Sequence, residues 1–221
     1  LDTDSHPADS MLPLLREALL DAHEELTDRS SRDRDLEGLG TTCIALMRSG
    51  NRLAMVHIGD SRAYVVGGGG IRQLTHDHSA LQEARDLAAT SGAPRVIPPA
   101  NVVTKALGAG QSGSVKADYT IMPLEEGDRA VICTDGVHGV LQDAQIHAIV
   151  AVGDGPQGSA DALVQASLET GTRDNTTAVV VYAGTESRVT LTSNVMNRMI
   201  QPVRPASIET ARRVPRREGS N

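Results

Sequence analysis

Between Thr41 and Leu74 the chain is cut into short apolar runs by turn residues. This punctuation constrains the fold more than any other feature of the sequence. Thr41–Met47 and Leu53–Ile58 are runs of strand length, separated by Arg48-Ser49-Gly50-Asn51. Gly and Asn tolerate the positive φ that a tight hairpin needs, so the two runs predict a β-hairpin. Ser61–Val66 predicts a third strand, Gly67–Gly70 a turn, and Ile71–Leu74 the continuation of the meander. Strands joined by such short links pair antiparallel, because a parallel pair needs a crossover of roughly a dozen or more residues.

Helical patterns are grouped before and after these strands. Leu12, Leu15, Leu19, Ala22 and Leu26 recur at three- and four-residue spacing, predicting an amphipathic helix over Met11–Thr27 with Ser10 as N-cap. Ser30–Glu37 reads as a charged loop. Ser79–Ala89, Asp143–Val152 and Ser159–Thr170 read as further helices. Asn101–Ala106, Ser114–Met122, Arg129–Thr134 and Thr176–Tyr182 read as strands, and 91–100, with three prolines and a glycine, as a loop. The grouping predicts an α+β fold around antiparallel sheet; a Rossmann or barrel fold would alternate strand and helix.

The core of such a fold must here be aliphatic. The 221 residues include no Phe, no Trp and only three Tyr: Tyr64, Tyr119 and Tyr182. Single-stranded nucleic acid is bound on aromatic platforms, and quaternary ammonium groups in aromatic cages, so both functions are excluded. Charge points the same way. Residues 1–183 carry 14 basic and 25 acidic side chains, whereas 184–221 carry seven arginines and three acidic residues. The acidic body repels nucleic acid and anionic lipid, and attracts divalent cations wherever carboxylates converge. The tail, with its Arg212-Arg213 and Arg216-Arg217 pairs, loses periodicity and is expected to be mobile. Cys43 and Cys133 sit in apolar runs and read as buried hydrophobes, which fits a reducing cytoplasm. No apolar stretch is long enough to span a bilayer.

Three segments share one local grammar, an apolar strand ending in Asp beside Gly or Asn. They are Val56-His57-Ile58-Gly59-Asp60-Ser61, Ile132-Cys133-Thr134-Asp135-Gly136 and Arg173-Asp174-Asn175-Thr176-Thr177. Taken singly, each is a turn signal. Taken together, carboxylates converging at strand ends make an all-oxygen site suited to a hard cation such as Mg2+ or Mn2+. His76-Asp77-His78 reads as a cap for the helix that follows it, His57 as a packed core histidine, and His23 and His147 as surface or helix-face residues.

The order of these blocks resembles the metal-dependent PP2C-type (PPM) protein serine/threonine phosphatases of bacteria, actinobacterial members above all. Gly38-Leu39-Gly40-Thr41-Thr42, Val56-His57-Ile58-Gly59-Asp60-Ser61-Arg62-Ala63-Tyr64, Leu74-Thr75-His76-Asp77-His78-Ser79 and Asn101–Gly108 match family blocks in sequence. So do Gly127-Asp128 through Val137, and Arg173 through Val179. The resemblance implies a four-layer α-β-β-α sandwich, two central antiparallel sheets flanked by helices. It implies a domain over 1–183, followed by the Arg-rich tail. It implies Mn2+ or Mg2+ as cofactor, two ions and a third weaker one, with metal-activated water as the nucleophile and no catalytic side chain beyond it. By position Asp135 and Asp174 are the expected metal ligands and Asp60 helps hold the third ion. Gly136, Asn175 and Ser61 support them, and 79–100 is the flap over the site. Expected partners are phosphorylated proteins, Ser/Thr kinases among them, for a monomeric cytoplasmic enzyme with no nucleic acid and no membrane segment.

The resemblance also has gaps. The family's opening Arg with its Asn-Glu-Asp-like block, and its Asp-Gly-Met-Gly-Gly-His block, do not occur in these 221 residues. They supply the phosphate-binding Arg and the Asp that bridges two ions. The expectation is a domain without its first strands, weak Mn2+ binding and little or no turnover. Two other readings compete. One is a non-catalytic pseudophosphatase that binds phosphoproteins. The other is a GDS-type esterase with Ser61 as nucleophile and His138 as base, Asp135-Gly136-Val137-His138 imitating the Asp-x-x-His of such a triad.

Overall fold

The computed structural model describes residues 10–91, 97–109 and 115–184. The expected Arg-rich tail lies outside the described residues, apart from Gly184, as does much of the proline-containing loop. Among the described residues two antiparallel sheets form. The first has three strands in the order β1-β2-β5: β1 (Cys43–Ser49), β2 (Arg52–Ile58) and β5 (Asp118–Pro123). The second has four in the order β4-β3-β6-β7: β4 (Gly70–Gln73), β3 (Arg62–Gly67), β6 (Arg129–Cys133) and β7 (Ala178–Tyr182).

The hairpins fall where the turn residues placed them. Gly50 takes φ +57° between β1 and β2, and Gly70 takes φ +106° where β4 begins. The register runs Cys43 opposite Ile58 through Ser49 opposite Arg52. The layers follow from three apolar clusters. Helix α1 (Met11–Arg32) lays Met11, Leu15 and Leu19 on Ala54, Val56 and Ile58 of the first sheet. Leu53, Val65, Met122 and Leu124 pack between the two sheets. On the far side α4 (Asp143–Val152) and α5 (Gly155–Glu169) set Ile146, Val150 and Leu163 against Tyr64, Val131 and Val180. The result is the expected α-β-β-α sandwich. Aliphatic side chains fill it, and Tyr64 is the largest fully buried residue. No described helix is long and apolar enough to cross a membrane.

Several sequence expectations need correction. Helix α1 continues to Arg32 and is followed by a 3-10 turn at Arg34–Leu36, where a charged loop was expected. Exposed Glu25–Arg29 and Asp28–Arg32 pairs at i,i+4 spacing line its last turns. Ala22, expected on the apolar face, is exposed, and His23 takes the buried place instead at 1% exposure. The His23 ring accepts a hydrogen bond at Nδ1 from the Gly108 N–H (3.1 Å). Asn101–Ala106 is not a strand: it makes one isolated bridge, Val103 to Ser79, and a second, Leu107 to Thr41, follows just beyond it. Cys133 is buried as expected, but Cys43 is only half-buried on the edge strand β1. Residues Asp135–His138 form a short helix, α3, that the pattern did not show, and α2 spans Ala80–Ser91.

Candidate functional site

Strand register brings the three Asp-bearing segments to one end of the second sheet. Arg62 pairs with Cys133, and Cys133 pairs with Ala178. Asp60 therefore lies between β2 and β3, Asp135 just after β6 ends, and Asp174 in the loop before β7, so the Asp174 segment leads into a strand where it was expected to end one. Two of the three loops are stitched to each other. The Thr134 hydroxyl donates to the Asn175 carbonyl (3.1 Å) and accepts from the Thr177 N–H (3.1 Å). The Asn175 N–H donates to Asp174 Oδ1 (2.7 Å), which fixes that carboxylate against its own loop. Gly136 is needed for the approach: a Cβ there would lie 2.5 Å from the Asn175 carbonyl oxygen.

Gly136→Ala is therefore expected to push the two loops apart. The cost is about 1–3 kcal/mol of stability, the range for overpacking a close-packed site. A chemical-denaturation midpoint equal to that of wild type would contradict this.

Electrostatics show that the carboxylates sense one another. Burial, then the Asp174 charge, raises the Asp135 carboxyl above its ordinary value. Burial, then the Asp135 charge, pushes Asp60 up to about 6. Asp60 is 9% exposed, so its charge is poorly solvated. Like charges held near each other without a counter-ion raise one another's pKa. Oxygen-only donors, the carboxylate charges felt by Asp60 and Asp135 and the close approach at Gly136 fit a hard divalent cation at these loops.

Asp77 belongs to this region as well, and the sequence reading as a helix cap missed it. Its carboxylate is 7% exposed and accepts from Arg62 at both nitrogens, Nε at 2.9 Å and Nη2 at 2.7 Å. Its charge reaches Asp60. Of the His76-Asp77-His78 trio, only His76 pairs with α2, through Asp86 at 2.7 Å. A bidentate Arg–carboxylate pair is among the stronger polar contacts, and here it braces the start of β3.

A second cluster lies on the other side of the Gly59-Asp60 corner, joined to it through His78. His57 and Asp118 are cross-strand partners on β2 and β5. His78 lies beside them, its ring centroid 4.9 Å from that of His57. One ligand atom from each of His57, His78 and Asp118 falls within 4.8 Å of the others, the one such trio among the described residues. Its chemistry suits a cation poorly. His78 Nδ1 accepts from the Gly59 N–H (3.1 Å), so the proton sits on Nε2. That Nε2 faces Asp118 Oδ2 at 3.3 Å, too poorly aligned for a full hydrogen bond. A metal-bound histidine donates its other N–H to an acceptor, and His78 presents a lone pair to a donor instead. Burial, then the His78 charge, lowers His57 to about 4, so its ring is neutral.

The esterase geometry is not built. The Ser61 hydroxyl is paired with Thr42 Oγ1 (2.9 Å). His138 Nε2 donates to the Asp60 carbonyl (3.0 Å), so that nitrogen is not free to accept a proton from Ser61. Burial, then the Arg62 charge, lowers His138 to about 4.

Known proteins resemble much of the chain. A family model described as Protein phosphatase 2C matches residues 4–169. The serine/threonine protein phosphatase PstP of Mycobacterium tuberculosis is 31% identical over 178 residues, covering 80% of this chain and 34% of that protein. The chain thus spans well under half the length of this curated relative. The serine/threonine phosphatase stp of Listeria monocytogenes is 27% identical over 168 residues, covering 76% of this chain and 66% of that protein. Among solved structures, the catalytic domain of PstP in complex with two manganese ions matches with a TM-score of 0.69 at 31% identity. The match covers 80% of this chain and 73% of that one.

Proposed function

The chain belongs to the protein phosphatase 2C family, and from that premise we propose that it is a metal-dependent protein serine/threonine phosphatase. The observation that carries the reading is that strand register puts the loops of Asp60, Asp135 and Asp174 side by side at one end of the second sheet. The manganese-bound relative supports Mn2+ as the cation.

Asp135 and Asp174 hold the ion, and Asp60 adds charge beside it. The bound cation supplies a water of lowered pKa and positive charge for the phosphoryl oxygens. The chain's own residues do the rest. The Thr134 bonds hold the loops of Asp135 and Asp174 together. Gly136 lets these loops close to contact distance. Arg62 is committed to Asp77, so it braces β3 and leaves the phosphate to other groups. Residues 1–183 form the catalytic unit, and the substrates are cytoplasmic phosphoproteins, Ser/Thr kinases among them, met by a monomer.

Because the sequence carries no Asp-Gly-Met-Gly-Gly-His block, turnover by these 221 residues is expected to be slow. Phosphate release from a phosphothreonine peptide tests this. A slow release that needs Mn2+ supports the proposal. Release independent of Mn2+, or ester hydrolysis lost in Ser61→Ala, contradicts it. Robust Mn2+-dependent release that is lost in Asp135→Asn would contradict the expectation of little or no turnover.

A further inference from the structure

Two histidines that the proposed chemistry does not use grip the corner between β2 and β3. His78 comes from the segment before α2 and is 4% exposed. Its Nδ1 accepts from the Gly59 N–H (3.1 Å), and its own backbone N–H donates to the Gly59 carbonyl (2.8 Å). His138 comes from the end of α3, and its Nε2 donates to the Asp60 carbonyl (3.0 Å). One imidazole thus holds the peptide entering Gly59, and the other holds the peptide leaving Asp60.

The corner depends on such bonds. Gly59 has φ +111°, and a Cβ there would collide with Thr42, so no side chain can pin it. A backbone N–H only donates and a carbonyl only accepts, so the two bonds require the same Nε2–H tautomer from both rings. The chemistry at each position is opposite: His78 serves as acceptor through Nδ1, and His138 as donor through Nε2.

We propose that His78 and His138 are paired positioning residues that lock the Gly59-Asp60 corner and so aim the Asp60 carboxylate at Asp135. The inference rests on the reading of Asp60 as part of the cation site. Neither ring is a ligand there, since His138 Nε2 is tied to a carbonyl and His78 Nε2 faces Asp118.

The amide side chains separate this role from simple space-filling. Asn carries an acceptor oxygen near the place of Nδ1, and Gln carries an N–H donor near the place of Nε2. His78→Asn and His138→Gln should therefore keep Mn2+ affinity within about threefold of wild type, measured by Mn2+ spin-resonance titration of the 221-residue chain. His78→Gln and His138→Asn should weaken it by about tenfold or more, in line with losses at groups that orient metal ligands. Nitrogen-15 spectra should show the Nε2–H tautomer at both rings, and the Gly59 amide should exchange faster in His78→Gln than in His78→Asn. Equal behaviour of Asn and Gln at both positions, or an Nδ1–H tautomer at either, overturns the proposal. Asp60→Asn serves as the control. If it leaves Mn2+ affinity unchanged, the reading of Asp60 fails, and the tautomers and Gly59 exchange alone decide the grip.

Discussion

Asp135→Asn is expected to lower Mn2+ affinity by on the order of 100-fold, at or beyond the upper end of the losses seen for groups that merely orient ligands. The same change should leave the metal-free chain at least as heat-stable as wild type. The two effects have one cause. Burial and the Asp174 charge hold the Asp135 carboxyl above its ordinary pKa, so its ionised form is disfavoured in the folded, metal-free protein. Asn removes that charge and the repulsion with it, while Gly136 and the Thr134 bonds still hold the loops. Titration with Mn2+ and thermal unfolding in chelator check both halves. A variant that binds Mn2+ like wild type would remove Asp135 from the site. A variant that melts well below wild type in chelator would show that its carboxylate stabilises the fold.

The second large effect is a pH dependence of the metal-free chain. Asp60 titrates near 6 in the folded protein, against an ordinary value of 3.8. Below the ordinary value the carboxyl is protonated in both states and folding carries no penalty. Between the two values the folded state binds more protons than the unfolded one, so stability falls as pH rises. The full loss, about 3 kcal/mol, is reached above the folded value. The chelated protein should therefore be less stable at pH 7 than near pH 4.5 as far as this group is concerned. Asp60→Asn should flatten that window. Mn2+ should restore stability at pH 7, because a ligand that binds only the folded state stabilises it by mass action. Denaturant midpoints across pH 4–7 for wild type and Asp60→Asn give the comparison. The same slope in both would place the titration elsewhere.

Local signals carried most of the fold. The Gly50-Asn51 and Gly67–Gly70 turns and the flanking apolar runs specified four strands and their antiparallel pairing. The two-sheet sandwich needed the resemblance, because no local pattern says that β5 pairs with β2 across sixty residues of chain. Asn101–Ala106 has strand-like residues, but Val102 and Val103 remain exposed and find only isolated bridges. Propensity reports fitness for a strand and is silent on whether a partner is there. His23 was misread for a related reason. It sits four residues after Leu19, on the buried stripe, but its partner Gly108 lies 85 residues away. The Asp-bearing strand ends were legible as a set. The bonds that organise them were not, since Arg62–Asp77, His78–Gly59 and His138–Asp60 all join segments that sequence order keeps apart.

The central claim is that the cation binds where the three strand ends meet, and paramagnetic broadening by Mn2+ tests it most directly. With the backbone resonances of the 221-residue chain assigned, substoichiometric Mn2+ should first erase signals around Asp60, Asp135 and Asp174. Signals around Thr120 and Met122 in the first sheet should persist longer. Broadening that begins at His57, His78 and Asp118 and spares Asp135 and Asp174 would contradict the account.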